Sequence, residues 1–228
     1  MPKRALSEKR PLLLASIVAA LGFYYLRAGP LPELYLIPLK GSAIALLAIY
    51  LWLRHPSPDA RLMAAGFAAA ALGNMATEIE TDGMASGLLF FAYVVLALAV
   101  YLRNRRPSLS PSQKGAAVAL LLLTPIIAWF MPADRAQAPN LAIYALALGG
   151  MTASAWVSAF PRYRVGAGAV LFLVSDLLLF AEMGPLQGSM VPQILVWPIY
   201  YLGQFLIAVG IAQTLRKRDP ELRIVLNN

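Results

Sequence analysis

One carboxylate stands where its surroundings oppose it. Between Arg164 and Glu182 the chain reads VGAGAVLFLVSDLLLFA, and Asp176 is the charged residue in that run. A carboxylate at bilayer depth costs roughly 2.5–3.5 kcal/mol on insertion scales, so it faces a bundle interior and has a partner or a proton to handle. Other polar residues can share its depth: Lys40 just after Pro38, Asn74 and Glu78 one helical turn apart, Tyr200 and Gln204 beyond Pro198, and Ser175 beside the acid itself. A carboxyl, an amide, a phenol and an ammonium at one level suit proton transfer to a buried substrate. Each also has a purely structural reading. Lys40 with Asp176 reads as a buried ion pair fixing helix register. Asn74, Ser175 and Gln204 read as interhelical glue of about 0.6 kcal/mol apiece. Glu78, Glu80 and Asp82 read as a solvated acidic loop. If two acids are needed, Glu78 is the expected partner of Asp176, because Glu80 lies roughly 200° around the helix from it.

The elements that must position these groups follow from composition. The chain is 60% hydrophobic and 13% charged, with a mean hydropathy of +0.67, and its apolar runs approach spanning length one after another. The expected fold is all-α, a single polytopic membrane domain over residues 1–228. Its eight transmembrane helices are expected near 11–28, 34–53, 60–77, 83–102, 114–131, 139–159, 165–181 and 192–215. With no cysteine and a single histidine, His55, thiol nucleophiles, disulfides and a histidine-based metal site fall away. No metal site is expected. Small-residue stretches such as Ala64 to Ala71 read as close-packing surfaces. Trp52, Trp129 and Trp197, with Tyr24, Tyr25 and Tyr35, read as anchors at the membrane interfaces.

Charge sets orientation. If alternate connections lie on one side, that side collects every Lys and Arg except Arg27, Lys40 and Arg135. The positive-inside rule then places both termini in the cytoplasm, and the net charge of +8 reflects topology rather than nucleic-acid binding. The basic segment Lys3 to Arg10 before the first apolar run has the look of a signal peptide, but the run is long and Arg27-Ala28-Gly29-Pro30 is a poor cleavage site, so an uncleaved anchor is expected. The loop Arg103 to Lys114 separates two sets of four helices. Gly73-Asn74 with Glu80 and Ser175-Asp176 with Glu182 recur with the same spacing. A 4+4 parallel repeat and coincidence among Ala/Leu-rich helices both remain open.

The pattern Gly168-x-x-x-Phe172-x-x-Ser175-Asp176 and the later Tyr200-Tyr201-Leu202-Gly203-Gln204 resemble the signatures of the YhhN, or transmembrane-protein-86, family. Its characterised members are lysoplasmalogenases, eight-helix membrane hydrolases that cleave the vinyl ether of lysoplasmalogens. The resemblance runs from Pro38-Leu39-Lys40 to the end of the last apolar run. Two positions depart from it: the family's Gly-Asp reads Gly73-Asn74, and the histidine of the fourth helix is absent, with Tyr93 and Val95 nearby. The resemblance implies Asp176 as the acid-base residue, with Asn74 and Glu78 in the place of a second acid. Lys40, Tyr200, Gln204 and Ser175 would contact the lipid or its water. It implies a lysophospholipid-like substrate, no bound cofactor and a multi-pass protein of the bacterial inner (cell) membrane. Two other functions fit the same residues: a lipid-binding member of the fold without catalysis, and a proton-coupled transporter using Asp176.

Overall fold

Helix starts in this chain are written in serine and proline. Ser57 and Ser110 each accept a backbone N–H from the first turn that follows, with Pro58 and Pro111 in the opening helical position, where a missing N–H costs nothing. At Ser110 the side chain of Gln113 reaches back to complete a capping box. The structure, a computed structural model, describes residues 10–79 and 83–218. Among them are eight α-helices and no strand: α1 (Arg10–Leu26), α2 (Glu33–Arg54), α3 (Pro58–Ala76), α4 (Met84–Arg103), α5 (Pro111–Phe130), α6 (Ala138–Val157), α7 (Ala167–Glu182) and α8 (Met190–Arg218). A 3-10 turn, Arg135–Gln137, leads into α6, and a π-helical turn, Arg162–Gly166, leads into α7.

The eight apolar runs of the sequence thus become eight helices, with ends shifted by a few residues. Six of the segments, α2, α4, α5, α8 and the two that comprise α6 and α7 with their lead-in turns, are long and apolar enough to cross a membrane. The apolar α1 has 17 residues. α3 is rich in alanine and carries Pro58, Asp59, Arg61 and Asn74, which lowers its hydropathy.

Two compact units divide the chain, one holding residues up to Leu96 and from Ile211 onward, the other Ala97–Gly210. The division falls inside α4 and α8 rather than in the loop after Arg103, and the reason is visible in that loop. Its backbone is tied to the end of α6, with Ala159 N–H donating to Asn104 O at 2.7 Å and Arg105 bridged to Ser158.

In the first unit, Ser16 of α1 donates its hydroxyl to Ala43 O of α2 at 2.6 Å. Ile44, Leu47 and Leu51 of α2 are buried, as are Met63 and Phe67 of α3. The Phe67 and Tyr93 rings meet at 5.4 Å. In the second unit α7 crosses α8 at Gly168 and Gly203. A Cβ on either glycine would stand 2.7 Å from the carbonyl oxygen of the other. Lipid tails are as apolar as leucine, so such backbone approach, rather than escape from water, is what joins helices there. Trp197 is only 5% exposed and packs on Tyr200 and Tyr201, so it belongs to this packing and not to an interface belt. Trp52 and Trp129 are exposed, each with an arginine over its ring, Arg61 and Arg135 respectively.

The crossing makes a stability prediction. Gly203→Ala should lower the thermal unfolding midpoint in detergent by the equivalent of about 1–3 kcal/mol, the usual cost of overpacking. Gly87→Ala, where a Cβ meets nothing within 4 Å, should stay within about 0.5 kcal/mol of the parent. Equal midpoints for the two variants would contradict the close crossing.

Candidate functional site

Asp176 owes its direction to three residues before it. Gly168, Phe172 and Ser175 follow one another at four and three residues, so they form one stripe along α7. Gly168 meets Gly203. The Phe172 ring meets that of Tyr200 edge-on at 5.6 Å. The Ser175 hydroxyl donates to Val196 O at 2.9 Å. The whole stripe therefore packs on α8. Asp176 is the next residue, turned about 100° further around the helix, and it faces α6.

There its Oδ2 accepts the hydroxyl of Tyr144 at 2.6 Å. Tyr144 is held from its ring as well, edge-on to Phe180 at 6.0 Å, beside a buried cluster of Ala128, Ala145 and Phe180 with Leu141 and Leu177 packed against it. Phe180 is one turn beyond Asp176 on the same helix. One aromatic side chain thus bridges two points of α7, by ring packing at one and by hydrogen bond at the other. The carboxyl is partly buried. A carboxyl in an apolar surround is stabilised by such a donor, since an unpaired polar group there costs several kcal/mol, of the order of a lost hydrogen bond or more. Tyr144 was not among the residues the sequence singled out. A tyrosine near the start of an apolar helix carries the same signal as an interface anchor, and only the neighbouring helix distinguishes the two.

Tyr200 and Gln204, a turn apart on α8, stand in this same unit and are both buried. Ser175, expected to contact substrate, is itself fully buried, with its proton given to α8.

Lys40, Asn74 and Glu78 lie in the first unit. α3 ends at Ala76, and Glu78 follows in a turn whose N–H bonds Met75 O at 3.2 Å. It is therefore not on the regular helical face that the sequence suggested. Lys40 Nζ sits 2.5 Å from Glu78 Oε1 and donates to Thr77 Oγ1 at 2.7 Å. Its ammonium also lies 5.3 Å from the Phe23 ring centre. Thr77 in turn donates to Asn74 O at 2.9 Å, and the Asn74 amide donates to Ala70 O at 2.7 Å. Lys40 and Glu78 are thus brought together as an ion pair, with Asn74 behind them. Glu80 and Asp82 fall outside the described residues. Tyr93, near the place of the family's histidine, is fully buried against Phe67, and Val95 is 42% exposed. Among the described residues no group of His, Asp or Glu is gathered as a metal ion would require.

In comparison with known families, the model of the YhhN family matches residues 35–211, a stretch that contains both polar groups. No curated protein and no solved structure matches the chain.

The ion pair can be weighed directly. Unfolding midpoints of the parent, Lys40→Met, Glu78→Gln and the double variant should give a coupling of about 0.5–1 kcal/mol, the upper part of the range for partly exposed pairs. Strict additivity would show that the two side chains do not act on each other.

Proposed function

The chain belongs to the YhhN family, and from that premise we propose that it is a lysoplasmalogenase-like integral membrane hydrolase. Its substrate in this reading is a lysophospholipid with a vinyl ether, cleaved to a fatty aldehyde and a glycerophospho-headgroup. The observation that carries the proposal is the carboxyl of Asp176, set in the Ser-Asp pair of the motif and held by the Tyr144 hydroxyl at 2.6 Å.

Vinyl ethers break by protonation at carbon. The Asp176 carboxyl, protonated, gives its proton to the β-carbon of the double bond, and the electron pair of the ether oxygen stabilises the resulting oxocarbenium ion. Water adds to that cation and returns a proton to the carboxylate. The hemiacetal then collapses: its hydroxyl proton is lost as the carbonyl forms, the bond to glycerol breaks with its electron pair on the glycerol oxygen, and that oxygen takes up one proton in exchange. General acid–base catalysis of this kind contributes typically 10²–10⁴-fold. Tyr144 occupies Oδ2, which leaves Oδ1 to carry the proton. Ser175, Phe172 and Gly168 position Asp176 by packing α7 on α8. Tyr200 and Gln204 are assigned to substrate and water. Lys40 is assigned to the lipid phosphate. Glu78 and Asn74 stand as the second group of the family pattern, with Glu78 engaged by Lys40.

The same proposal has all eight helices crossing a bacterial inner membrane with both termini in the cytoplasm. The lengths of α1 and α3, 17 and 19 residues, lie within the range of about 17–25 that a span requires. The distribution of Lys and Arg supports the orientation.

One observation favours a second reading, a lipid-binding member without turnover. Asn74 replaces the family's acid, and its amide is donated to a carbonyl of its own helix. An amide neither gives nor takes a proton readily.

Purified protein in detergent, given a lysoplasmalogen, should release fatty aldehyde. Asp176→Asn should lower the rate by at least about 10²-fold. Tyr144→Phe, which removes one hydrogen bond to a carboxyl, should lower it by about tenfold. No aldehyde from the parent, with lysolipid still bound, would establish the second reading instead. Full activity in Asp176→Asn would remove this residue from the mechanism.

A further inference from the structure

The second unit carries an open groove of about 400 Å³ between α5 and α7 that the proposed chemistry does not use. Ala119, Leu123 and Ile127 line one side, Leu173 and Leu177 the other, and Trp156 of α6 also borders it. Thr124 is its hydroxyl-bearing residue, and that hydroxyl is already donated to Leu120 O at 2.6 Å. The groove wall is therefore almost wholly apolar. Along α5 it extends from Ala116 to Ile127, about 16 Å at 1.5 Å per residue. That is close to the depth of one leaflet in a hydrocarbon core of about 30 Å.

Trp156 has a cation upon it. Arg162, in the π-helical turn before α7, lays its guanidinium 5.8 Å from the Trp156 ring centre. Gly166 makes room for this arrangement, since a Cβ there would stand 3.1 Å from the Trp156 ring and 3.3 Å from Arg162. The buried Nε of Arg162 has no hydrogen-bond partner among the described residues. Nor is there an acid of this unit at that end. Between residues 97 and 210 the carboxylates are Asp134, Asp176 and Glu182; Asp134 and Glu182 belong to the opposite ends of α6 and α7, and Asp176 lies well along α7. An arginine with no carboxylate of its own unit beside it, stacked on the residue that borders a leaflet-deep apolar groove, complements a lipid with a charged phosphate head.

We propose that this groove binds an anionic phospholipid, with one acyl chain along α5 and α7 and the headgroup phosphate on Arg162. The lipid is distinct from the substrate proposed above. Arg162 precedes Asp176 by fourteen residues, about 20 Å of helix, and a lysolipid anchored at Arg162 would hold its ether bond far from the acid. The site therefore stands whether or not the protein is a hydrolase.

Native mass spectrometry of the whole protein, equilibrated in mild detergent with equal amounts of phosphatidylglycerol and phosphatidylcholine, tests it. The parent should retain phosphatidylglycerol preferentially. Arg162→Gln should reduce that preference about five-fold, the equivalent of roughly 1 kcal/mol for one basic residue at an anionic surface. Ala119→Phe, at an exposed position of the groove wall, should reduce retention of both lipids by filling the space. Ala116→Leu on the same wall serves if that variant does not purify. Equal retention of the two lipids by the parent, an unchanged preference in Arg162→Gln, or unchanged retention in the filled groove would each overturn the proposal.

Discussion

The close approach of α7 and α8 at Gly168 and Gly203 governs the second unit. In a hydrocarbon medium helices gain little from burying leucine against leucine, so contact between backbones and the few polar bonds that follow decide which faces meet. With the glycines together, Phe172 comes against Tyr200 and Ser175 reaches Val196 O. The direction of Asp176 is then fixed by helix geometry. One residue past Ser175, it faces α6 because Ser175 faces α8. A motif that reads as catalytic in sequence is, up to its last residue, a packing device for the acid at its end.

The two units treat their acids in different ways. Asp176 has a neutral donor, the Tyr144 phenol, in place of a cation, which suits the proton-transfer role proposed for it. Glu78 instead has an ammonium, Lys40, with Thr77 and Asn74 continuing the chain of hydrogen bonds to the α3 backbone. Glu78 is thus held by a charged partner and Asp176 by a neutral one.

Much of the fold was legible because apolar runs punctuated by proline, serine and charge leave little choice. Ser57-Pro58 and Ser110-Pro111 mark helix starts in sequence as they do in space. Asp176 was legible for the same reason, as a charge in an apolar run. Its partner was not. Tyr144 and Trp197 both sit near helix ends where aromatic residues normally anchor a protein to the interface, and nothing local shows that one reaches an acid and the other is buried on Tyr201. Lys40 and Glu78 were placed at one depth from their positions, yet the bond between them depends on α3 stopping at Ala76 so that Glu78 falls in a turn. Gly168 and Gly203 each stood in a quoted motif. That they touch is a property of two helices and of neither sequence alone.

In the reaction proposed for this chain, a vinyl ether is protonated on carbon by the acid held between α6 and α7. Hydrolysis of a lysoplasmalogen in deuterated water, with the aldehyde reduced as it forms to prevent later exchange, measures this most directly. One deuterium on the carbon next to the former carbonyl, delivered at a rate that falls in step with loss of the Asp176 carboxyl, is the predicted result. Aldehyde formed without deuterium at that carbon would contradict protonation of the double bond and with it the role assigned to Asp176.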